Sequence, residues 1–287
     1  MADVSIADVL VGSEALRKGR LTRYQLRTGY RAIHPDIYLP LCTEPSLRTR
    51  SVAAWLWSGR RGVLAGLAAA ALHGSKWVDD DEPVELIWRN PHPPAGVATR
   101  NQRFEPDEVT RVTGLPVTTA ARTAFDMARL LPTGEGVARL DALMRARPFP
   151  LEDVRMLATR YAGARGLRRL HTALALVDPG AESPKETWLR LLLISAGLPV
   201  PTTQIPVQPT RRLIAVLDMG WEEYLVAAEY DGDYHRTDRR RYARDQKRMR
   251  ALEELGWIVI RVIAEDDPAD VLRRVRGALC RRGWRDT

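Results

Sequence analysis

The stretch Leu225-Val226-Ala227-Ala228-Glu229-Tyr230-Asp231-Gly232-Asp233-Tyr234-His235-Arg236 decides how this chain is read. Its apolar start predicts a buried strand that ends in acid. Residues two apart on a strand share a face, so Glu229 and Asp231 project together. The preceding run, Leu213–Asp218, reads as a second strand, with Trp221-Glu222-Glu223 at the turn between the two. Paired as a hairpin, the two strands carry Asp218 to the same point. Carboxylates gathered in a half-buried setting are costly unless something neutralises them. A divalent cation does so, and carboxylates with room for water suit Mg²⁺ or Mn²⁺. Asp218, Glu229 and Asp231 are therefore the candidate metal ligands. Gly232 allows a tight turn, after which His235 can reach back and move a proton.

Downstream, Arg236 to Arg250 holds eight basic residues, opposed only by Asp238 and Asp245. Helical spacing over about Thr237–Leu255 puts Tyr242, Asp245, Met249 and Leu252 on one face and Arg240, Arg244 and Lys247 on another. A solvated charged face is the usual meaning of such a run. Directly after an acidic cluster it also gives metal-assisted phosphodiester cleavage its cations. Gly256 ends this helix. Trp257–Ile263 is a third strand, apolar except for Arg261, and a last helix covers about Ala269–Cys280. Before the hairpin, Ser183-Pro184-Lys185-Glu186 opens a helix, with Ser as N-cap, Pro at N1 and Glu at N3. The expected fold class is α/β, with a mixed sheet between helices.

Two further blocks precede this one. In the first, 1–77, Ser13–Leu16 and Leu21–Leu26 read as short helices, the second capped by Thr22 and Gln25. A β-like stretch, Tyr30–Leu39, is broken by Pro35, and alanine-rich helices follow around Ser46–Trp57 and Val63–Leu72. Helix, turn, helix and β-wing is the order of a winged helix, whose second helix enters the major groove. A small helical domain with solvated basic residues gives the same pattern. In the second block, 78–180, Val84–Trp88 is strand-like, Thr118–Leu131 is an amphipathic helix, and more helices follow, including Gly166–Val177. This small α+β block offers no catalytic constellation. His171 reads as a surface or core residue, and Asp178-Pro179-Gly180 marks the boundary to the third block, 181–287.

The chain has 287 residues, 45% of them apolar and 28% charged, and a formal net charge of +8. Those figures fit two or three core-forming domains. Arg far outnumbers Lys, and a guanidinium grips phosphate with two parallel bonds. A nucleic-acid partner and a GC-rich coding bias both explain that excess. Cys42 and Cys280 have no metal-ligand spacing. No basic segment followed by an apolar run opens the sequence, and stretches such as Val63–Leu72 are too short to span a bilayer. A cytoplasmic protein without a membrane partner is expected.

Several segments together resemble the very-short-patch-repair-endonuclease-like family of the PD-(D/E)XK nuclease superfamily. They are Ala181-Glu182-Ser183-Pro184-Lys185-Glu186, Leu217-Asp218, Ala228-Glu229-Tyr230-Asp231-Gly232, His235, Arg244-Asp245-Gln246-Lys247-Arg248 and Leu255-Gly256-Trp257-Ile258-Val259-Ile260-Arg261. The resemblance covers roughly the final third of the chain. It implies a restriction-endonuclease-like fold, Asp218 as central metal ligand and Glu229 as second acid. Glu186 matches the helix acid that sometimes completes the site, although a capping box explains it equally. Asp245 would orient its neighbours or pair with an Arg. The superfamily pattern puts Lys two residues after the Glu, where this chain has Asp231. His235, Lys247 or Arg248 would have to stand in for it.

The earlier blocks are similar to the winged-helix antitoxin family of abortive-infection systems. The carrying segments are Leu21-Thr22-Arg23-Tyr24-Gln25-Leu26, Asp36-Ile37-Tyr38-Leu39, Val63–Gly74 and Gly114–Asp126. The expectation is a metal-dependent DNA endonuclease, with Asp218, Glu229, Asp231, His235, Lys247 and Glu186 as catalytic candidates. Arg236, Arg240, Arg244, Arg248 and Arg23 are the candidate nucleic-acid contacts, with RNA as the alternative polymer. The competing expectation is a non-catalytic DNA-binding regulator whose nuclease-like domain is degenerate.

Overall fold

The computed structural model describes residues 9–209, 213–232 and 239–285, the side chains of 239–243 excepted. His235 and Arg236 lie outside the described residues, and of Arg240 only the backbone is described. The chain is mixed α/β and divides into two compact units, the first reaching Leu174 and the second starting at Ala175. No helix among the described residues is long and apolar enough to cross a membrane.

The first unit begins with β1 (Leu10–Val11), α1 (Gly12–Arg17) and α2 (Arg23–Gly29), then the hairpin β2 (Tyr30–His34) and β3 (Ile37–Pro40). The capping box forms as expected: Gln25 N–H donates to Thr22 Oγ1, and Thr22 N–H donates to Gln25 Oε1. The hairpin turns at Asp36, whose φ is 62°. Helix α3 (Leu47–Trp57) follows.

The expected helix Val63–Leu72 is in fact a strand and a helix. Val63–Ala65 is β4 and Gly66–Leu72 is α4. Leu64 lies opposite Leu86 on one side and Val117 on the other. Pairing on both edges overrides the helical preference of an Ala- and Leu-rich segment. Gly66, at φ 57°, makes the break; a Cβ there would run into the Glu85 carboxylate.

β4 belongs to a five-stranded sheet with β5 (Val84–Ile87), β6 (Val97–Arg100), β7 (Val109–Val112) and β8 (Leu115–Thr118), ordered β6-β5-β4-β8-β7. The sheet therefore crosses the expected boundary at residue 77. One buried cluster does the same, joining Ile37, Leu39, Val52, Leu64, Val84, Leu115 and Val117. Helices α5 (Ala120–Leu130), α6 (Thr133–Ala146), α7 (Leu151–Arg160) and α8 (Leu167–Leu176) complete the sequence of elements. Here lies an ion network that the sequence reading missed. Arg122, 1% exposed, bonds Glu108 and, at 2.9 Å, Asp126; Asp126 also holds Arg129. Arg160 and Tyr161 close on Glu108 at 2.6 and 2.7 Å. Every charge in it meets an opposite one, the condition under which burial is tolerated.

The second unit runs α9 (Pro184–Ser195), β9 (Thr202–Val207), β10 (Ala215–Trp221), β11 (Val226–Tyr230), α10 (Arg239–Glu254), β12 (Ile258–Val262) and α11 (Pro268–Arg281). Its sheet is ordered β12-β11-β10-β9, with β11 and β12 parallel and the other neighbours antiparallel. The sequence reading had no β9, whose Pro206 and Gln204 interrupt the pattern. On one face Ala228, Met219 and Val262 pack with Leu189 and Leu193 of α9 and Val271 and Val275 of α11. On the other, Ala227, Leu217 and Val259 pack with Met249 and Leu252 of α10. The sheet thus has helices on both faces, as expected.

Candidate functional site

Strands β10 and β11 are joined by one 3₁₀ turn, Glu222–Tyr224, and by Leu225 in the left-handed region at φ 51°. Their register pairs Trp221 with Val226, Gly220 with Ala227 and Met219 with Ala228. Gly220 has no space for a side chain, since the β11 backbone at Val226 and Ala227 passes against it. Continued by one step, this register brings Asp218 to Glu229. There the Asp218 side chain turns to the neighbouring strand, and Tyr230 N–H donates to its Oδ2 at 2.9 Å. On the other side of β11, Glu229 pairs with Arg261 of β12. Side chains alternate along a strand, so Glu229 shares the Ala227 face, which α10 covers.

Helix α10 lays Asp245 and Arg248 over these strand ends. Arg248 donates to Glu229 Oε2, and its Nε stands 3.7 Å from Asp245 Oδ1. Arg261 reaches Asp245 Oδ2 at 2.8 Å and Asp231 Oδ2 at 2.7 Å. Charges alternate from Glu229 through Arg248, Asp245 and Arg261 to Asp231. With Asp218 added, four carboxylates face two guanidiniums, a local acid excess in a chain whose net charge is +8.

Glu229 is only 6% exposed, and its Oε1 is buried with no hydrogen-bond partner. Burial raises its pKa and Asp218 adds to the rise, against the pull of Arg248. Burial also lifts the Asp218 carboxyl, to about 6; Glu186 repels its charge, while Tyr230 N–H and Arg248 oppose the rise. Two neighbouring carboxylates both resist ionisation here because water has been removed from them and too little positive charge has replaced it.

The expected trio does not assemble as a three-ligand group, and no set of three His, Cys, Asp or Glu side chains able to hold a metal occurs among the described residues. Asp231 engages Arg261, the residue across the β11–β12 pair that can neutralise it. Ser183 caps the helix as expected, its Oγ accepting from Glu186 N–H, while the Glu186 carboxylate takes the Ser183 hydroxyl at 2.9 Å and the N–H of Glu182, one residue before the cap, at 2.7 Å. The part of Glu186 near Asp218 is electrostatic. Mg²⁺ commonly binds one or two carboxylates and keeps several waters. Asp218 and Glu229, the latter with its buried Oε1 unpartnered, fit that pattern.

Of the candidate cations, Arg248 is at the site, whereas Lys247 and Arg244 are exposed on α10. Arg23, the first residue of α2, is exposed in the first unit. Sequence reasoning passed over Arg261, noting it only as an interruption of an apolar strand. That interruption was itself the signal, because a guanidinium in such a run must find an acid.

No protein-family model matches the chain, and no solved structure matches it significantly. Over 243 residues it is 30% identical to two proteins of Mycobacterium tuberculosis, uncharacterized protein MT2308 and uncharacterized protein Rv2248. The match covers 83% of this chain and 86% of each relative, and so takes in most of both units. The chain belongs to the family of these two mycobacterial proteins.

Proposed function

We propose that the second unit is a restriction-endonuclease-like domain that hydrolyses DNA phosphodiesters with Mg²⁺ or Mn²⁺, and that the first unit holds DNA through a winged helix. The carrying observation is the buried, unpartnered Glu229 Oε1 beside an Asp218 whose pKa is lifted to about 6. Folding two acids into a dry corner is unfavourable by itself and becomes useful when a cation is held there. Support also comes from the mixed sheet between helices and from the short helix pair and hairpin that open the first unit.

Asp218 and Glu229 would hold the metal, which when bound polarises a phosphodiester and favours attack by water. Tyr230 N–H fixes the Asp218 carboxylate in place. Arg248, anchored on Glu229, would stand in for the missing ammonium and stabilise charge that develops on the phosphate. Asp245, itself held by Arg261, pairs with Arg248. Arg244 and Lys247, exposed on the same helix, meet the flanking phosphates.

The test is incubation of purified full-length protein with plasmid DNA and either metal. Wild type nicks the plasmid, while Asp218→Asn and Glu229→Gln do not. Intact DNA with both metals, or equal nicking by the Asp218→Asn protein, refutes the enzyme. A second reading, the non-catalytic DNA-binding regulator, is favoured by one observation. Arg248 and Arg261 already neutralise Glu229 and Asp231, so acids that would serve a metal serve internal ion pairs instead. A mobility shift with uncut DNA is its signature.

A further inference from the structure

Near Asp218, on the sheet face opposite α10, helix α9 leaves an indole in the open. Trp188 is 39% exposed, although its neighbour Leu189 is fully buried in the core. Its ring meets Tyr230 edge to face, with centroids 6.3 Å apart and planes at 84°. One turn earlier, the Lys185 ammonium lies 5.8 Å from the same Tyr230 ring. Tyr230 is also the residue whose N–H holds Asp218, and it directly follows Glu229. An aromatic surface, a cation and the acidic corner are thus linked through one residue.

We infer that Trp188 is a stacking platform for an unpaired nucleobase next to the phosphate that a metal held by Asp218 and Glu229 would engage, on the Asp218 side, making a single-stranded or locally opened strand the preferred substrate of this site. The inference rests on the nuclease reading of that site. Nonspecific single-strand binding combines a cationic track along the backbone with aromatic rings on which bases stack. Lys185, beside Tyr230 on the same helix as Trp188, provides a cation on this face of the sheet. In an intact duplex both faces of each base are already covered. A base can reach the indole only after unstacking, which costs a few kcal/mol unless the strand is already open. Tyr230 holds the indole edge-on, so little orientation remains to be lost when a base lands on it.

The test uses the full chain in EDTA, so that binding is scored without cleavage. The probes are a fluorescein-labelled single-stranded deoxyoligonucleotide and the blunt duplex of the same sequence, read by anisotropy. Trp188→Ala should weaken single-strand binding by about 5- to 150-fold, the range of one base stack, and leave duplex affinity unchanged. Trp188→Leu, which keeps an apolar contact with Tyr230, should lose as much, and Trp188→Phe should retain most of the affinity. The salt dependence of single-strand binding should stay that of wild type, because no phosphate contact is removed. Wild-type single-strand affinity in the Ala and Leu variants, or an equal loss on duplex, overturns the inference. Cleavage assays run in parallel separate it from the reading it rests on. Uncut DNA together with selective loss of single-strand binding overturns the nuclease and supports the platform. Cleavage together with unchanged single-strand binding overturns the platform alone.

Discussion

Replacing Asp218 with Asn should stabilise the metal-free protein and abolish metal-dependent cleavage. The carboxyl is lifted from its ordinary 3.8 to about 6, chiefly by burial and then by Glu186. At about 1.36 kcal/mol per pH unit, the ionised form carries a penalty on the order of 3 kcal/mol in the folded chain. Asparagine removes the charge and keeps an oxygen for the Tyr230 N–H. Proton counting gives the sign. Between 3.8 and about 6 the folded state binds the Asp218 proton more tightly than the unfolded state does, so wild-type stability falls as pH rises through that window. The Asn variant lacks this fall. Below about pH 4 the two proteins should be nearly equal, and by about pH 8 the variant should lead by up to roughly 3 kcal/mol.

Urea unfolding in EDTA measures the gap. With a slope of about 1–3 kcal/mol per molar, it moves the midpoint by about 1–3 M. Hydrogen exchange over β10 and β11 assigns the effect to the second unit. Mg²⁺ at about a hundred times its Kd should return about 2.7 kcal/mol to wild type and nothing to the variant. An Asn variant no more stable than wild type at about pH 8, or a gap that does not change with pH, refutes the reasoning.

Arg122→Met leaves Glu108 and Asp126 buried without their shared cation, and should cost about 3–5 kcal/mol by urea unfolding of the first unit. Gly66→Ala meets both a left-handed φ of 57° and the Glu85 carboxylate; a loss of about 1–3 kcal/mol is expected, partly recovered when Glu85→Ala is added. Arg244→Ala and Lys247→Ala should each lower the slope of log K against log salt for DNA binding by about 1, with no change in sequence preference.

The hairpin of the second unit was legible because its signals are local. Apolar runs mark β10 and β11, acids mark their ends, and Ser183 with Glu186 marks the start of α9. The capping box at Thr22 was legible for the same reason. What stayed hidden depends on partners distant in sequence. β4 looks helical until β5 and β8 lie on either side of it. Asp231 looks like a third metal ligand until Arg261, thirty residues on, takes it up. Arg248 and Lys247 are adjacent in sequence and equally basic, and only the rotation of α10 decides which of them meets Glu229. The Glu108–Arg122–Asp126 network stayed hidden because the i,i+4 pair Arg122 and Asp126 on α5 reads as an ordinary surface pair until Glu108, fourteen residues earlier, is packed against it.

The continuity of β4 with its sheet has a consequence for how a DNA-reading helix would work here. A reader on a flexible tether searches by swinging, and ordering the tether lowers its affinity. The hairpin that follows α2 instead stands on the same packed interior as the five-stranded sheet, Ile37 and Leu39 belonging to the cluster that holds Val84 and Val117. A protein cut after Trp77 would lose both neighbours of β4 and expose that interior, so the first 77 residues should not survive as a portable module.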